Sequence, residues 1–289
     1  MTFLTKTALR QLFEREGIVP NKALGQNFLI DKNVRDKFLS FAKVSCNDTV
    51  LEIGAGLGAL TEQLCKDAKQ VIAFEKDAVI AELLKARLSS FSNLEIISKD
   101  FLSTDRSFFS SRGPFTIIGN LPYYIASPII LHLLRLLPAW TRAIVSLPEE
   151  VGEKIIATPG DRDYGFLAVT IATFTQSRIC YTIGRHVFYP MPKIKSVLLE
   201  IVPRKSPAME IRDTTLFWKI IPGIFENRRK TILNVLARSF KIEKEKVAET
   251  LQSLGIDFTL RSHQITLTDL ERIVKMVEEL KKKAPFQEE

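Results

Sequence analysis

Long apolar runs are missing from this chain. No stretch of about twenty consecutive apolar residues occurs, so a membrane span is not expected. Cysteine is scarce: Cys46, Cys65 and Cys180 are far apart and odd in number. They have no metal-ligand spacing and form no disulfide framework, so neither a metal centre nor a stapled secreted fold is expected, and a reducing cytosol is the natural home. The opening MTFLTKTALRQLFEREG lacks an apolar signal core and contains Glu14 and Glu16, which argues against secretion. A mitochondrial transit peptide fits poorly, although the first ten residues are basic and free of acid. Internal repeats and low-complexity segments are absent.

What is present is a globular composition with a basic bias. The 289 residues are 46% hydrophobic and 26% charged, enough for one large domain and a smaller one. The net charge is +8 and the pI about 9.3, which points to a polyanionic partner, nucleic acid or anionic lipid. Residues 203–289 carry 17 basic and 13 acidic side chains, against 24 and 20 in residues 1–202. The C-terminal stretch is therefore about twice as basic per residue.

Apolar segments alternate between strand and helix period. TVLEI (49–53), VIAFEK (71–76), LEIISKD (94–100), FTIIGNL (115–121) and AIVSLP (143–148) read as strands, with helical stretches between them. That alternation predicts a mostly parallel sheet covered by helices on both faces. After Val169 the pattern changes: TIATFTQSRICYTIG and SVLLEIVP read as antiparallel edge strands, and PRKSPAMEIRD as a linker. LFWKIIPGIFENRRKTILNVLARSF, KVAETLQSLG and TLTDLERIVKMVEELKKK are helical in period, the last with Thr268 and Glu271 as a capping box. The expected organisation is an α/β domain over 1–203 and a small all-helical domain over 204–289.

The turn after the first strand, EIGAGLG (52–58), spaces its glycines as G-x-G-x-G, which lets backbone approach a ligand at the start of a helix. The dinucleotide fingerprint places its third glycine one residue later. Glu52, two positions before Gly54, suits a cofactor with a positively charged amino acid end rather than a pyrophosphate. Glu75 ends the second strand about twenty residues on, where a ribose-binding carboxylate sits in such folds. Asp100, followed by Phe101, offers a carboxylate and a ring for an adenine. Three carboxylates at strand ends describe a site for S-adenosyl-L-methionine.

NLPYY (120–124) follows the fourth strand at the same sheet edge. The exocyclic amine of adenine is a poor nucleophile because its lone pair is delocalised into the ring. The Asn120 side-chain oxygen and a backbone carbonyl at Leu121 or Pro122 would accept its two N–H groups and stabilise charge developing on nitrogen. Tyr123 would stack on the unstacked base. The chemistry expected is methyl transfer to an adenine amine.

These motifs, together with NKALGQNFLID (21–31), FEKD (74–77), YGFLAV (164–169), VFYPMPKIKSV (187–197), NRRKTILN (227–234) and RSHQITLTDLERI (261–273), run nearly end to end. Through them the chain resembles the KsgA/RsmA family of small-subunit ribosomal RNA adenine N6,N6-dimethyltransferases. The resemblance implies a Rossmann-like class I methyltransferase sheet and a segment, GQNFL, that closes over S-adenosyl-L-methionine. By that resemblance Gln26, Asn27 and Leu29 are cofactor contacts, with Gly54, Gly56, Glu75, Lys76, Asp100, Phe101 and Asn120. Asn120, Leu121, Pro122 and Tyr123 act on the target, and Phe188 would stack on its second face. The substrate implied is two adjacent adenosines in a hairpin loop near the 3′ end of 16S rRNA, in an assembling small subunit. Arg204, Lys205, Arg228, Arg229 and Lys230 are the expected contacts to rRNA phosphates. A cytoplasmic monomer without a metal or a membrane partner is expected. The chain departs from the family in Ala55, where proline is common, and in SLPEEVGEKI (146–155), where Gln and a basic residue usually precede Glu-Val.

Two rivals remain at this stage. Large-subunit rRNA adenine methyltransferases of the macrolide-resistance type share fold and chemistry, but usually carry Ile after the Asn and a shorter C-terminal domain. A non-catalytic nucleic-acid-binding protein on the same scaffold would not need Asn120, Tyr123 and all three carboxylates.

Overall fold

Short apolar strands bounded by polar turns set the architecture. The computed structural model describes residues 5–21, 24–110 and 112–283. In chain order the elements are α1 (Lys6–Glu16), β1 (Phe28–Leu29), α2 (Lys32–Ala42), β2 (Thr49–Ile53), α3 (Thr61–Asp67), β3 (Gln70–Phe74), α4 (Ala78–Arg87) and β4 (Leu94–Ile97). There follow α5 (Arg106–Ser110), β5 (Phe115–Asn120), α6 (Ala126–Arg135), β6 (Trp140–Pro148), α7 (Glu149–Ile156), α8 (Phe166–Phe174), β7 (Thr175–Ile183), β8 (Phe188–Tyr189) and β9 (Ser196–Pro203). The chain closes with α9 (Thr214–Phe225), α10 (Ile232–Phe240), α11 (Lys244–Ser253) and α12 (Leu267–Lys283). Met1–Leu4 at the basic N-terminus, and Lys22 and Ala23 of the NKALGQNFLID segment, lie outside the described residues.

Seven strands form one sheet in the order β4-β3-β2-β5-β6-β9-β7. β4, β3, β2, β5 and β6 run parallel, and β9 joins β6 antiparallel. Central strands are buried along nearly their whole length, as expected for a parallel sheet with both faces covered. A second, two-stranded sheet pairs β1 with β8, setting Phe28 opposite Tyr189 and Leu29 opposite Phe188. Helix starts are capped where the sequence supplies an acid: Asp31 accepts from Val34 N, and Asp77 from Val79 N and Ile80 N.

The chain divides into two compact units, Met1–Gly152 with Gln176–Pro203, and Glu153–Thr175 with Arg204–Glu289. Dividing the sequence into 1–203 and 204–289 puts Glu153–Thr175 in the first part. Its side chains instead complete an apolar cluster of the second unit, where Tyr164, Ala168 and Val169 pack with Phe217, Ile221 and Leu236.

Three local expectations are corrected. TIATF, expected as strand, is the end of α8. Its β-branched residues suit a strand by propensity, but Thr170, Thr173 and Thr175 bond their hydroxyls to the carbonyls of Phe166, Val169 and Ile171 at 2.7, 2.7 and 2.8 Å. That back-bonding satisfies the hydroxyls inside a buried helix. The long helical run through NRRK breaks between α9 and α10, where Thr231 caps α10 and Ile232 N donates to Leu260 O at 2.6 Å. At α12 the capping residue is Thr266, not Thr268: its hydroxyl accepts from Asp269 N and bonds Asp269 Oδ2 at 2.7 Å. Glu271 pairs instead with Lys275 at 2.7 Å.

Among the described residues no helix is long and apolar enough to cross a membrane. β2 and β5 approach so closely that a Cβ added at Gly119 would lie 2.5 Å from the Ile53 carbonyl oxygen. Gly119→Ala is therefore expected to destabilise the fold by about 1–3 kcal/mol or more. Urea unfolding followed by circular dichroism measures it, and an unchanged midpoint would show that the strands can spread.

Candidate active site

The carboxyl ends of the parallel strands open on one cleft. Glu52 and the glycine turn come from β2, Glu75 and Lys76 from the end of β3, Asp100 and Phe101 from beyond β4, and Asn120–Tyr123 from β5. Gln26, Asn27 and Leu29 border the same cleft, so the expected cofactor contacts are brought together.

Two glycines make the turn possible. Gly54 has φ 74°, and a Cβ there would meet the Asn120 carbonyl oxygen at 3.1 Å. Gly56 has φ 56°, and a Cβ would press on the Phe28 ring at 3.2 Å. The loop thus lies against both the NLPY segment and the covering segment without a side chain between them.

The three carboxylates differ in what they hold. Glu75 is engaged on both oxygens: Oε2 accepts from Gly56 N at 2.8 Å and Oε1 from Asp77 N at 2.9 Å. Burial still raises its pKa, these bonds opposing. Asp100 accepts from Leu102 N and from Lys76 Nζ, both at 2.9 Å. Burial acts to raise it, but the Lys76 and Leu102 hydrogen bonds prevail and keep its carboxyl below the usual range. Glu52 is 1% exposed, and its Oε2 has no hydrogen-bond partner. Burial first, and the nearby Glu75 charge as a lesser cause, push its pKa up to about 8.

Asn120 is held at both ends of its amide. Nδ2 donates to the Asn27 carbonyl at 2.9 Å, and Oδ1 accepts from Ser146 Oγ. Leu121 is 1% exposed, and its N–H donates to Ser146 O at 3.0 Å. The Pro122 carbonyl accepts from Ile125 N at 3.1 Å, so of the two candidate carbonyls Leu121's is the one not taken by the turn. Tyr123 shares a hydroxyl hydrogen bond with Ser196, and burial raises its pKa. Phe101 is 4% exposed and meets Phe74 edge-on at 5.4 Å.

Phe188 does not join this group. It is 3% exposed, lies opposite Leu29 in the small sheet, and packs with Val34, Phe38 and Leu60. Its ring is a core ring in this geometry, not a face of the cleft, because strand pairing turns it inward. Residues missed in the sequence include Gln26's partner Asp77 (Nε2 to Oδ2, 2.8 Å), the half-exposed Tyr124 against Gly25, and the serines at 146 and 196. A lone hydroxyl in the apolar strand AIVSLP was the available signal.

The basic candidates belong to the second unit. Arg204 Nε donates to the Ala172 and Thr175 carbonyls, each at 3.0 Å, and Arg228 Nη2 donates to the carbonyls of Arg162 and Tyr164. One nitrogen of each guanidinium is thus tied to backbone. Arg204 is partly buried, and Lys205, Arg228, Arg229 and Lys230 are exposed. Among the described residues, no group of three or more His, Cys, Asp or Glu is arranged to hold a metal.

A parallel sheet with a glycine turn, strand-end carboxylates and an Asn-Leu-Pro-Tyr edge defines a class I methyltransferase. The family model described as ribosomal RNA adenine dimethylase matches residues 19–281, and the chain belongs to that family. It is 36% identical over 268 residues to a ribosomal RNA small subunit methyltransferase A from Geobacillus sp. (strain WCH70), covering 90% of this chain and 92% of the relative. A crystal structure of a dimethyladenosine transferase from Plasmodium falciparum aligns with a TM-score of 0.75 at 25% identity, covering 89% of this chain and 98% of that one. The 23S rRNA methyltransferase ErmE aligns with a TM-score of 0.66 at 25% identity, covering 87% and 100%.

Glu52 carries a pH signature. Between its ordinary range and about pH 8 the unfolded carboxyl is ionised while the folded one keeps its proton. The native state then binds more protons, so stability falls as pH rises through that window. Glu52→Gln is expected to flatten the fall, measured by urea unfolding across it. If the variant follows the native profile, Glu52 does not titrate there.

Proposed function

We propose that this chain dimethylates the N6 amines of two adjacent adenosines in a hairpin loop near the 3′ end of 16S rRNA, in an assembling small ribosomal subunit, using S-adenosyl-L-methionine. Family membership supports the reaction class, and the relatives' names favour the small subunit over the large. The observation that carries the reading is the Asn120 amide, held at both ends at the edge of the cleft, Nδ2 on the Asn27 carbonyl and Oδ1 on the Ser146 hydroxyl, with Leu121 next to it in the lining.

The residues present fit the cofactor. Glu52 offers an unpartnered buried carboxylate oxygen to a cation, and Glu75 and Asp100, which line the same cleft, would accept from ribose hydroxyls and an adenine amine. Gln26, Asn27, Leu29, Gly54, Gly56, Lys76 and Phe101 would complete the enclosure. When bound, the cofactor supplies a methyl group on a cationic sulfonium and departs as a neutral thioether.

The chain's own part is to orient and polarise. Asn120 Oδ1 and the Leu121 carbonyl accept the two N–H groups of the target amine, drawing its lone pair out of conjugation and stabilising positive charge on nitrogen. Pro122 fixes the backbone beside that carbonyl. Tyr123 presents its ring to the base, steadied through its hydroxyl. No side-chain base is required, because the alkylated ammonium sheds its proton readily.

Incubating the protein with S-adenosyl-L-methionine and unmethylated small subunits, then mapping modified bases, tests this. Dimethyladenosine at two neighbouring positions is expected. Asn120→Ala should lower single-turnover rate by about two orders of magnitude, the scale for one preorganised polar group. Modification confined to large-subunit RNA would overturn the reading.

For RNA docking the reading relies on the exposed Lys205, Arg228, Arg229 and Lys230, with the partly buried Arg204 next to Lys205 in sequence. Arg229→Ala with Lys230→Ala is expected to weaken binding to the unmethylated subunit and reduce its salt slope by about one to two. Filter binding across ionic strength measures it, and an unaltered slope would remove these two side chains from the interface.

A further inference from the structure

Two fully buried serines stand behind the NLPY motif. Ser146 lies near the end of β6 and Ser196 opens β9; the antiparallel register sets Ser146 opposite Leu198 and Pro148 opposite Ser196. Both are 0% exposed. Each hydroxyl meets a side chain of the motif: Ser146 Oγ donates to Asn120 Oδ1, and Ser196 Oγ is bonded to Tyr123 Oη. Ser146 also accepts Leu121 N at its own carbonyl, so it braces the motif through both side chain and backbone.

The chemistry of these groups fixes the sense of the Asn120 amide. A backbone carbonyl can only accept, so the Asn27 oxygen requires Nδ2 to face it, which turns Oδ1 to Ser146. Ser146 then takes one lone pair of Oδ1 and leaves one for a substrate N–H. We propose that Ser146 is a positioning residue that keeps Asn120 matched when the substrate amine has a single N–H, and so determines whether methylation runs on from the monomethyl to the dimethyl product. The proposal rests on the reading of this site as an adenine N6-dimethylase.

An unmodified amine offers one N–H to Asn120 Oδ1 and one to the Leu121 carbonyl. After the first transfer a methyl carbon has replaced one hydrogen, and one N–H serves two acceptors. In the second transfer the nitrogen lone pair forms the new N–C bond, and the C–S bond breaks with its electron pair going to sulfur. The last N–H proton then passes from the ammonium to water. When that N–H lies on the Leu121 carbonyl, Oδ1 has Ser146 as its donor. Without the hydroxyl, Oδ1 is an unmatched buried acceptor, and the amide must turn or compete for the proton. The first transfer, with two N–H groups available, makes no such demand.

The test is a progress curve on unmethylated small subunits at saturating S-adenosyl-L-methionine, with mono- and dimethyladenosine resolved by mass. Ser146→Ala is expected to slow the second transfer by about tenfold relative to the first, the scale of one unmatched buried acceptor. Monomethyladenosine then accumulates where the native chain gives dimethyladenosine. Loss of this buried hydrogen bond should lower the thermal midpoint by about 2–4 °C, so the ratio of the two transfers, which a merely structural loss would not move, is the readout. Ser146→Cys, of similar size with a weak donor, should restore part of the second step, and it carries the test if the alanine variant does not fold. Ser196→Ala acts on Tyr123 and should slow both transfers alike. A native mono-to-dimethyl ratio in Ser146→Ala, at any overall rate, overturns the proposal. Absence of adenosine methylation by the native chain would instead overturn the functional reading beneath it.

Discussion

The site depends on how closely two neighbouring strands can run. At Gly119 the backbone of β5 passes the Ile53 carbonyl with no room for a methyl group. That contact sets the glycine turn after β2 directly against the NLPY segment after β5, and Gly54 repeats the closeness one step further out. Everything chemical follows from this adjacency: a ligand lying on the turn has its neighbour's asparagine beside it. Parallel pairing of β2 with both β3 and β5 brings the remaining carboxylates to the same edge.

Electrostatics then divides the labour among groups that look alike in sequence. Glu75 accepts one backbone N–H on each oxygen, which shapes its own loop and leaves acceptor capacity on both. Asp100 is charged and tied to Lys76 across the strand ends. Glu52 alone keeps a buried oxygen without a partner. A carboxyl raised to about 8 is a poor anion until a cation arrives, and that makes it responsive to the ligand in a way the other two are not.

The sheet was legible in the sequence because a buried parallel strand has no polar face to disguise it. TVLEI maps onto β2 residue for residue, and the other parallel strands differ only at their ends. Gly54, Gly56, Glu75, Asp100 and Asn120 could be placed because each sits at a fixed offset from a strand end. TIATF was misread because threonine hydroxyls can bond within a helix, which propensity does not encode. The burial of Phe188 was not legible, because an aromatic in a motif says nothing about which side of a two-residue strand it faces. Arg204 and Arg228 show a limit of the same kind for charge: sequence does not reveal that one nitrogen of each guanidinium bonds carbonyls of a distant segment, Arg204 through Nε and Arg228 through Nη2. The serines were invisible for the opposite reason, since a hydroxyl in a strand is ordinary until its partner is known.

The small β1–β8 sheet bears on movement. Residues 27–30 are fastened on two sides: Asn27 O to Asn120, and Phe28 to Ile30 to the strand and turn at 187–189. A flap hinged at one end can swing freely; a strip stitched along both margins cannot. Any displacement of the strip must open some stitches, and the stitch at Asn27 is the one that holds the Asn120 amide. The position of the strip and the orientation of the Asn120 amide are therefore mechanically coupled through one hydrogen bond, so the strip cannot lift at Asn27 without freeing the amide.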